Sequence, residues 1–329
     1  MFKHSTLLLA LAVSFSAFAQ DEQKSEGQST LKIDEAADQK NKVDGNIDEE
    51  ITNAKLRAET GSKSKFSASF TANYYGGSLS KPADRNRPNP TREPIPPKTS
   101  MAGDFGVRYR MDKSQSIKLG TGYSLERPFH EAQRGQINNP AVSYNNAGKL
   151  GPVQSLAEAE LVVSTNSDEV EIGQTGTLNL SETLIYDFGG SRFSAGLATT
   201  ISAMDYTKRN ELVQPKGAKR QAPALAYQED YIFAAYPFAE YAVSDLIQLR
   251  TVFRPWIFSH ERSQTQFWKF SRRPWTQSFG VGFAVLRDVY LYPNFQWDVE
   301  RWRREGYSFA GKRTRESSTV GISATVNLF

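Results

Sequence analysis

Ile117-Lys118-Leu119-Gly120-Thr121-Gly122-Tyr123-Ser124-Leu125-Glu126 alternates, residue by residue, between an oily and a wet side chain. A strand turns successive side chains to opposite faces, so Ile117, Leu119, Thr121, Tyr123 and Leu125 share one face and the others share the second. The run outlasts the ~5–6 residues usual for a soluble strand. Upstream, Phe105, Val107, Tyr109 and Met111 alternate with Gly106, Arg108 and Arg110. Downstream the pattern returns at 193–203, where Arg192, Ser194, Gly196, Ala198, Thr200 and Ser202 form the polar or small face. It returns again where Trp275, Gln277, Phe279, Val281, Phe283 and Val285 alternate with Thr276, Ser278, Gly280, Gly282 and Ala284. A face of Gly, Ser and Thr suits a tightly curved interior, and an oily opposite face suits lipid.

The final strand continues the pattern, with Val320, Ile322, Ala324, Val326 and Leu328 set against Thr319, Gly321, Ser323, Thr325 and Asn327 before the terminal Phe329. This ending resembles the C-terminal strand of bacterial outer-membrane β-barrel proteins, porin-like in type, although Phe329 follows Leu328 directly and is out of phase by one. The resemblance implies recognition by the barrel-assembly machinery and residence in outer-membrane lipid. Barrels of that class have short periplasmic turns and longer outer connections, which gives a check on the strand count. Short connections fall at 112–114, 187–191, 243–245 and 287–288; long ones fall at 79–99, 128–138, 207–224, 261–273 and 304–314. Eleven obvious strands would put the long 207–224 stretch on the short side, and a further strand at 139–148 through Val142 and Tyr144 restores the alternation. The expected fold is all-β, an antiparallel up-and-down transmembrane barrel of about twelve strands over 64–329.

The other end of the chain sets the compartment. Lys3, the apolar run Leu7 to Val13 and Ala17-Phe18-Ala19 form a signal peptide over 1–19, cleaved near Ala19. The apolar run is too short to span a bilayer, which takes ~20 residues. Residues 20–63 form an acidic polar lead without aromatic residues or proline. Within it Val43, Ile47, Ile51, Ala54 and Ala58 recur at helical spacing, predicting a short helix near 46–60. Three readings of the lead remain open: a charged spacer with a short helix, a coiled-coil seam, or a helix lying in the barrel mouth.

The chain has no cysteine, so disulfides, thiolate metal sites and a cysteine nucleophile are excluded. Mature Lys+Arg is 40 − 1 = 39 against 36 Asp+Glu, which gives no basic excess for nucleic acid. A mean hydropathy of -0.54 fits a barrel, whose strands show only alternate residues to lipid. Asp44-Gly45-Asn46-Ile47-Asp48 has the look of a calcium loop, but aligning Gly45 on the loop glycine puts Lys40 and Lys42 at ligand positions. His130-Glu131 and His260-Glu261 are followed at the fifth position by Arg134 and Gln264, so neither completes a zinc helix. No metal, cofactor or enzymatic activity is expected.

Projecting the alternation inward lines the lumen with Arg108, Arg110, Lys118, Arg192, Arg250 and Arg254 and with Glu158, Glu160, Asp298 and Glu300. Arg108, Arg110, Arg250 and Arg254 are expected to face Glu158, Glu160, Asp298 and Glu300 across it. Charge confined to one phase fits a lipid-facing opposite phase, where Arg or Lys costs ~2–4 kcal/mol at mid-membrane. The outer loops carry Arg85, Arg87 and Arg92 among six prolines between Lys81 and Lys98, and Lys208, Arg209 and Lys219 further on. Such loops suit contact with lipopolysaccharide phosphate or attraction of anionic solutes. The expected function is a passive, porin-like route for small polar solutes. The alternative is a closed structural or surface-interaction barrel acting through its loops, with a secretion translocator or an outer-membrane hydrolase behind both.

Overall fold

The computed structural model describes residues 53–60, 64–88, 98–130, 134–189, 191–207, 212–213, 224–225, 228–261, 270–272, 275–299, 315–316 and 318–328. The signal peptide, most of the lead, Arg92, Lys208, Arg209, Lys219, Glu300 and Phe329 lie outside these residues. A helix α1, Ala54–Thr60, precedes β1, Phe66–Ser78. There follow β2, Ser100–Arg110; β3, Gln115–Glu126; β4, Gly135–Leu150; β5, Val153–Val163; and a short α2, Ser167–Glu171. Then come β6, Gln174–Asp187; β7, Phe193–Tyr206; and β8, Glu229–Ala242. The ninth strand, β9, runs as Ile247–Arg254 and Trp256–Glu261 on either side of Pro255. The series ends with β10, Thr276–Leu286; β11, Val289–Asp298; and β12, Thr319–Leu328.

Each strand pairs antiparallel with the next, and β1 pairs with β12 from Ala68↔Leu328 to Ser78↔Thr319. The sheet is therefore a closed barrel of 12 strands. Closure leaves no unpaired edge, the condition for crossing lipid with strands. Among the described residues no helix is long and apolar enough to cross a membrane. The break in β9 follows from Pro255, which has no N–H to give the ladder; both halves still pair with β8.

The expected fourth strand exists and is longer than 139–148. It starts at Gly135 and carries a register shift opposite Thr121/Gly122. The irregularity centres on Asn139, whose φ of 55° lies in the left-handed region that asparagine tolerates. Its Oδ1 accepts from Thr165 N (3.0 Å) and Asn166 N (3.1 Å), and its Nδ2 donates to the Glu169 carboxylate (2.9 Å). This one side chain ties β4 to the connection that holds α2.

The oily phase faces outward. Leu119, Val107, Val142, Leu161 and Ile322 are all exposed. Aromatic side chains gather at both rims: Phe66–Tyr109 and Tyr186–Phe188–Phe193 at the short-turn end, Tyr74–Phe129, Phe253–Trp275 and Phe295–Trp297 at the long-connection end. An apolar belt between two aromatic girdles is the surface of a membrane-spanning barrel.

One outward residue breaks the pattern. Glu182 of β6 stands opposite Ala157 and Thr199. It shares their outward face and accepts a hydrogen bond from Ser155 Oγ at 2.5 Å. Charge is thus not confined to the inward phase, as the alternation alone suggested.

Candidate functional site

The inward phase builds the candidate site, and its lower half is filled by α1. Leu56 of α1 is fully buried in a cluster with Ala147 of β4, Leu156 of β5, Ile185 of β6, Phe238 of β8 and Val252 of β9. On the other side of the helix Ala54 and Ala58 pack with Ala284 of β10 and with Tyr290 and Tyr292 of β11. All these wall residues lie toward the short-turn ends of their strands. A two-turn helix is marginal alone, so its stability comes from this packing.

Both ends of α1 are capped by the barrel wall. At the N-terminus Asn53 Oδ1 accepts from Lys55 N and Leu56 N, both at 3.1 Å, which satisfies donors a helix start leaves open. Asn53 is itself held: its N donates to Gln154 Oε1 (3.0 Å) and its Nδ2 to Glu240 Oε2 (2.5 Å). At the C-terminus Arg108 Nη1 donates to Glu59 O (2.6 Å), Arg110 Nη2 to Thr60 O (2.8 Å), and Asn327 Nδ2 to Ala58 O. Guanidinium groups there meet both the orphan carbonyls and the negative end of the helix dipole. Through packing and hydrogen bonds together, α1 engages β2, β4, β5, β6, β8, β9, β10, β11 and β12. It sits inside the barrel toward the short-turn end.

Above the helix the wall is charged. Along one inward row Arg108, Lys118, Ser143, Glu160, Asn179 and Ser202 are neighbours across six strands. Lys118 pairs with Asp104, whose other oxygen accepts from Thr71 Oγ1 at 2.5 Å. Glu160 Oε2 accepts from Asn179 Nδ2 at 2.9 Å. The row above is small: Gly106, Gly120, Ala141, Val162 and Thr177. Small side chains leave a recess of about 170 Å³ bounded by Asp104, Lys118, Thr121, Asn139, Ser143 and Glu160.

Among the described residues no ion pair joins the arginines predicted for the lumen to Glu158 or Glu160, although the Glu158 charge acts on Arg108. Arg108 and Arg110 turn to α1, Arg250 pairs with Glu240 and stacks over Phe238 (4.3 Å), and Arg254 donates to Ser278 Oγ at 3.3 Å. The helix occupies the space between opposite walls, so the nearest partners are on α1 or on an adjacent strand. Arg192 belongs to the turn before β7, where it is exposed and donates to Val243 O at 3.0 Å; it is not a lumen residue. Asp298 ends β11, and its side chain is outside the described residues. Of the loop cations, Arg85 is exposed, whereas Arg87 lies over the Tyr75 ring at 5.1 Å. Burial lowers the pKa of the Arg87 guanidinium from its ordinary value, with the Tyr75 phenol opposing the shift. His260 packs between Tyr231 and Phe270 rather than in the recess.

Glu240, Gln154 and Asn327 are the site residues the alternation did not single out. In β8 both phases are apolar, with Phe233, Ala234, Ala235, Tyr236, Pro237 and Phe238 in succession, so the period gives no inward face. Glu240 was nevertheless findable as the one acid in the second half of a strand next to Arg250.

No protein-family model matches the chain, and no curated protein does. Solved structures with a similar sheet are the NanC porin (8% identity over 80% of this chain and 99% of that one, TM-score 0.42) and the Acinetobacter baumannii outer membrane protein Omp33 (8%, 80% and 98%, 0.34). A third is OmpF of Salmonella typhi in complex with daunomycin (7%, 80% and 97%, 0.33).

Proposed function

We propose that the protein is an outer-membrane channel for small polar solutes whose short-turn, periplasmic end is closed by α1 and opens when α1 leaves the lumen. The observation that carries this reading is the contrast within one lumen. The part above α1 is lined with Asp104, Lys118, Ser143 and Glu160, which suits hydrated solute, and an apolar cluster around Leu56 blocks the way onward. A barrel built only as a shell has no need of a charged wall, since inward charges carry a desolvation cost that a filled apolar interior avoids. Ionisable residues at membrane depth mark solute routes more often than scaffolding.

Planar-bilayer conductance tests the proposal. The full chain is expected to be silent or nearly so, and a variant lacking residues 53–60 is expected to show stable ohmic steps. Silence from that variant, folded as judged by heat-modifiable gel migration, overturns the channel and favours the closed barrel acting through its loops.

A further inference from the structure

We infer that the recess above Lys118 is a binding site for a small solute bearing a primary ammonium group. The inference deepens the channel reading and rests on it for its biological sense, but its test does not depend on conduction.

The site is made by missing side chains. On adjacent inward positions Gly120 and Ala141 present almost nothing to the lumen, and Gly122 continues the gap along β3. A Cβ at Gly120 would approach Phe105 O to 2.7 Å and one at Gly106 would approach Leu119 O to 2.4 Å, so close strand packing keeps both positions bare. The resulting volume of about 170 Å³ is slightly larger than the ~150 Å³ that accommodates a six-carbon ring in an engineered protein cavity. A ligand of about six heavy atoms fits.

The charge of the walls selects its class. Asp104 and Glu160 border the recess with one cation, Lys118, which is already paired with Asp104. Glu160 Oε2 is taken by Asn179 Nδ2, while Oε1 has no partner among the described residues. Glu158, two residues along β5, hydrogen-bonds Ser143 and already has the positive charges of Lys118 and Arg108 acting on it. Glu160 thus has no ion pair beside an open recess, and Lys118 is only 15% exposed, too enclosed to bring in an anion. An ammonium group placed between Asp104 and Glu160 would supply the missing charge and donate to both, with the Ser143 hydroxyl as a third acceptor. Hydrogen bonds to charged groups in such an enclosed site are about twice as strong as neutral ones.

Isothermal titration of the full-length folded protein with 1,4-diaminobutane reads the site, with butane-1,4-diol as the neutral molecule of equal size. Saturable binding of the diamine that weakens as salt rises is expected, with none for the diol. Glu160→Gln is expected to weaken binding at least tenfold. Ala141→Leu keeps every charge and fills the recess, and it is expected to abolish binding. Absence of diamine binding, equal binding of the diol, or an unchanged affinity in both folded variants overturns the site. Diamine binding by a protein that stays silent without α1 would keep the site and remove the channel; conduction without diamine binding would do the reverse.

Discussion

Single residues decide how this chain treats its charges. Lys118 and Asp104 neutralise each other on the inner wall, and Arg250 and Glu240 do so near the helix. Among the described residues the Glu182 carboxylate has only the Ser155 hydroxyl, and it faces outward. Five residues separate it from the strand end at Asp187, which at a rise of ~3.4 Å and a tilt of ~40° puts it about 13 Å along the barrel axis, well inside the apolar belt. A carboxylate at that depth costs less than the ~2–4 kcal/mol of a cation but more than nothing. Glu182→Leu is therefore expected to stabilise the barrel by about 1 kcal/mol in lipid. Urea unfolding in vesicles measures it, and a midpoint that falls would show that the carboxyl is needed where it stands.

At the scale of elements, α1 is the unusual part, because seven residues are fixed by side chains from most of the wall. Leu56→Ala removes the centre of its apolar cluster and is expected to cost about 2–5 kcal/mol of the helix's hold on the lumen. Arg110→Ala uncovers the Thr60 carbonyl and is expected to cost ~1–3 kcal/mol. Both variants are expected to conduct intermittently in bilayers, the first with longer openings than the second. Equal silence in both would mean that α1 does not leave. The strands show the limits of local reading. The long alternation of β3 and β12 made their phase plain, whereas Pro255 divides β9 and the doubly apolar β8 conceals which side faces in. The extension of β4 to Gly135 was also hidden, since the register shift at Asn139 breaks the period where the strand continues.

For the whole molecule, the barrel and its helix share one interior. Removing residues 53–60 takes Leu56, Ala54 and Ala58 out of that interior and leaves Arg108, Arg110 and Glu240 without their helix partners. Losing the apolar packing and these hydrogen bonds removes stabilising contacts, so the shortened barrel is expected to lose its heat-resistant gel mobility at a lower temperature than the full chain. An unchanged transition would show that water replaces the helix without loss.

The twelve strands, their order and, outside β8, their lipid face were legible in the sequence, because strand geometry maps each residue to one of two faces and loop lengths alternate with the side of the membrane. Of the helix expected near 46–60 the structure describes Ala54–Thr60, with Asn53 as its cap, and residues 46–52 lie outside the described residues; its place was one of three open readings. Only the tertiary structure set α1 in the lumen, turned the arginines from distant acids to α1 carbonyls and adjacent strands, and opened the recess at Gly120 and Ala141. Alternation says that a side chain points inward but not what it meets. That depends on how far each strand is shifted along its neighbour when the sheet closes, which brings Asn53 to Glu240 and Ala58 to Asn327 across 187 and 269 residues of chain.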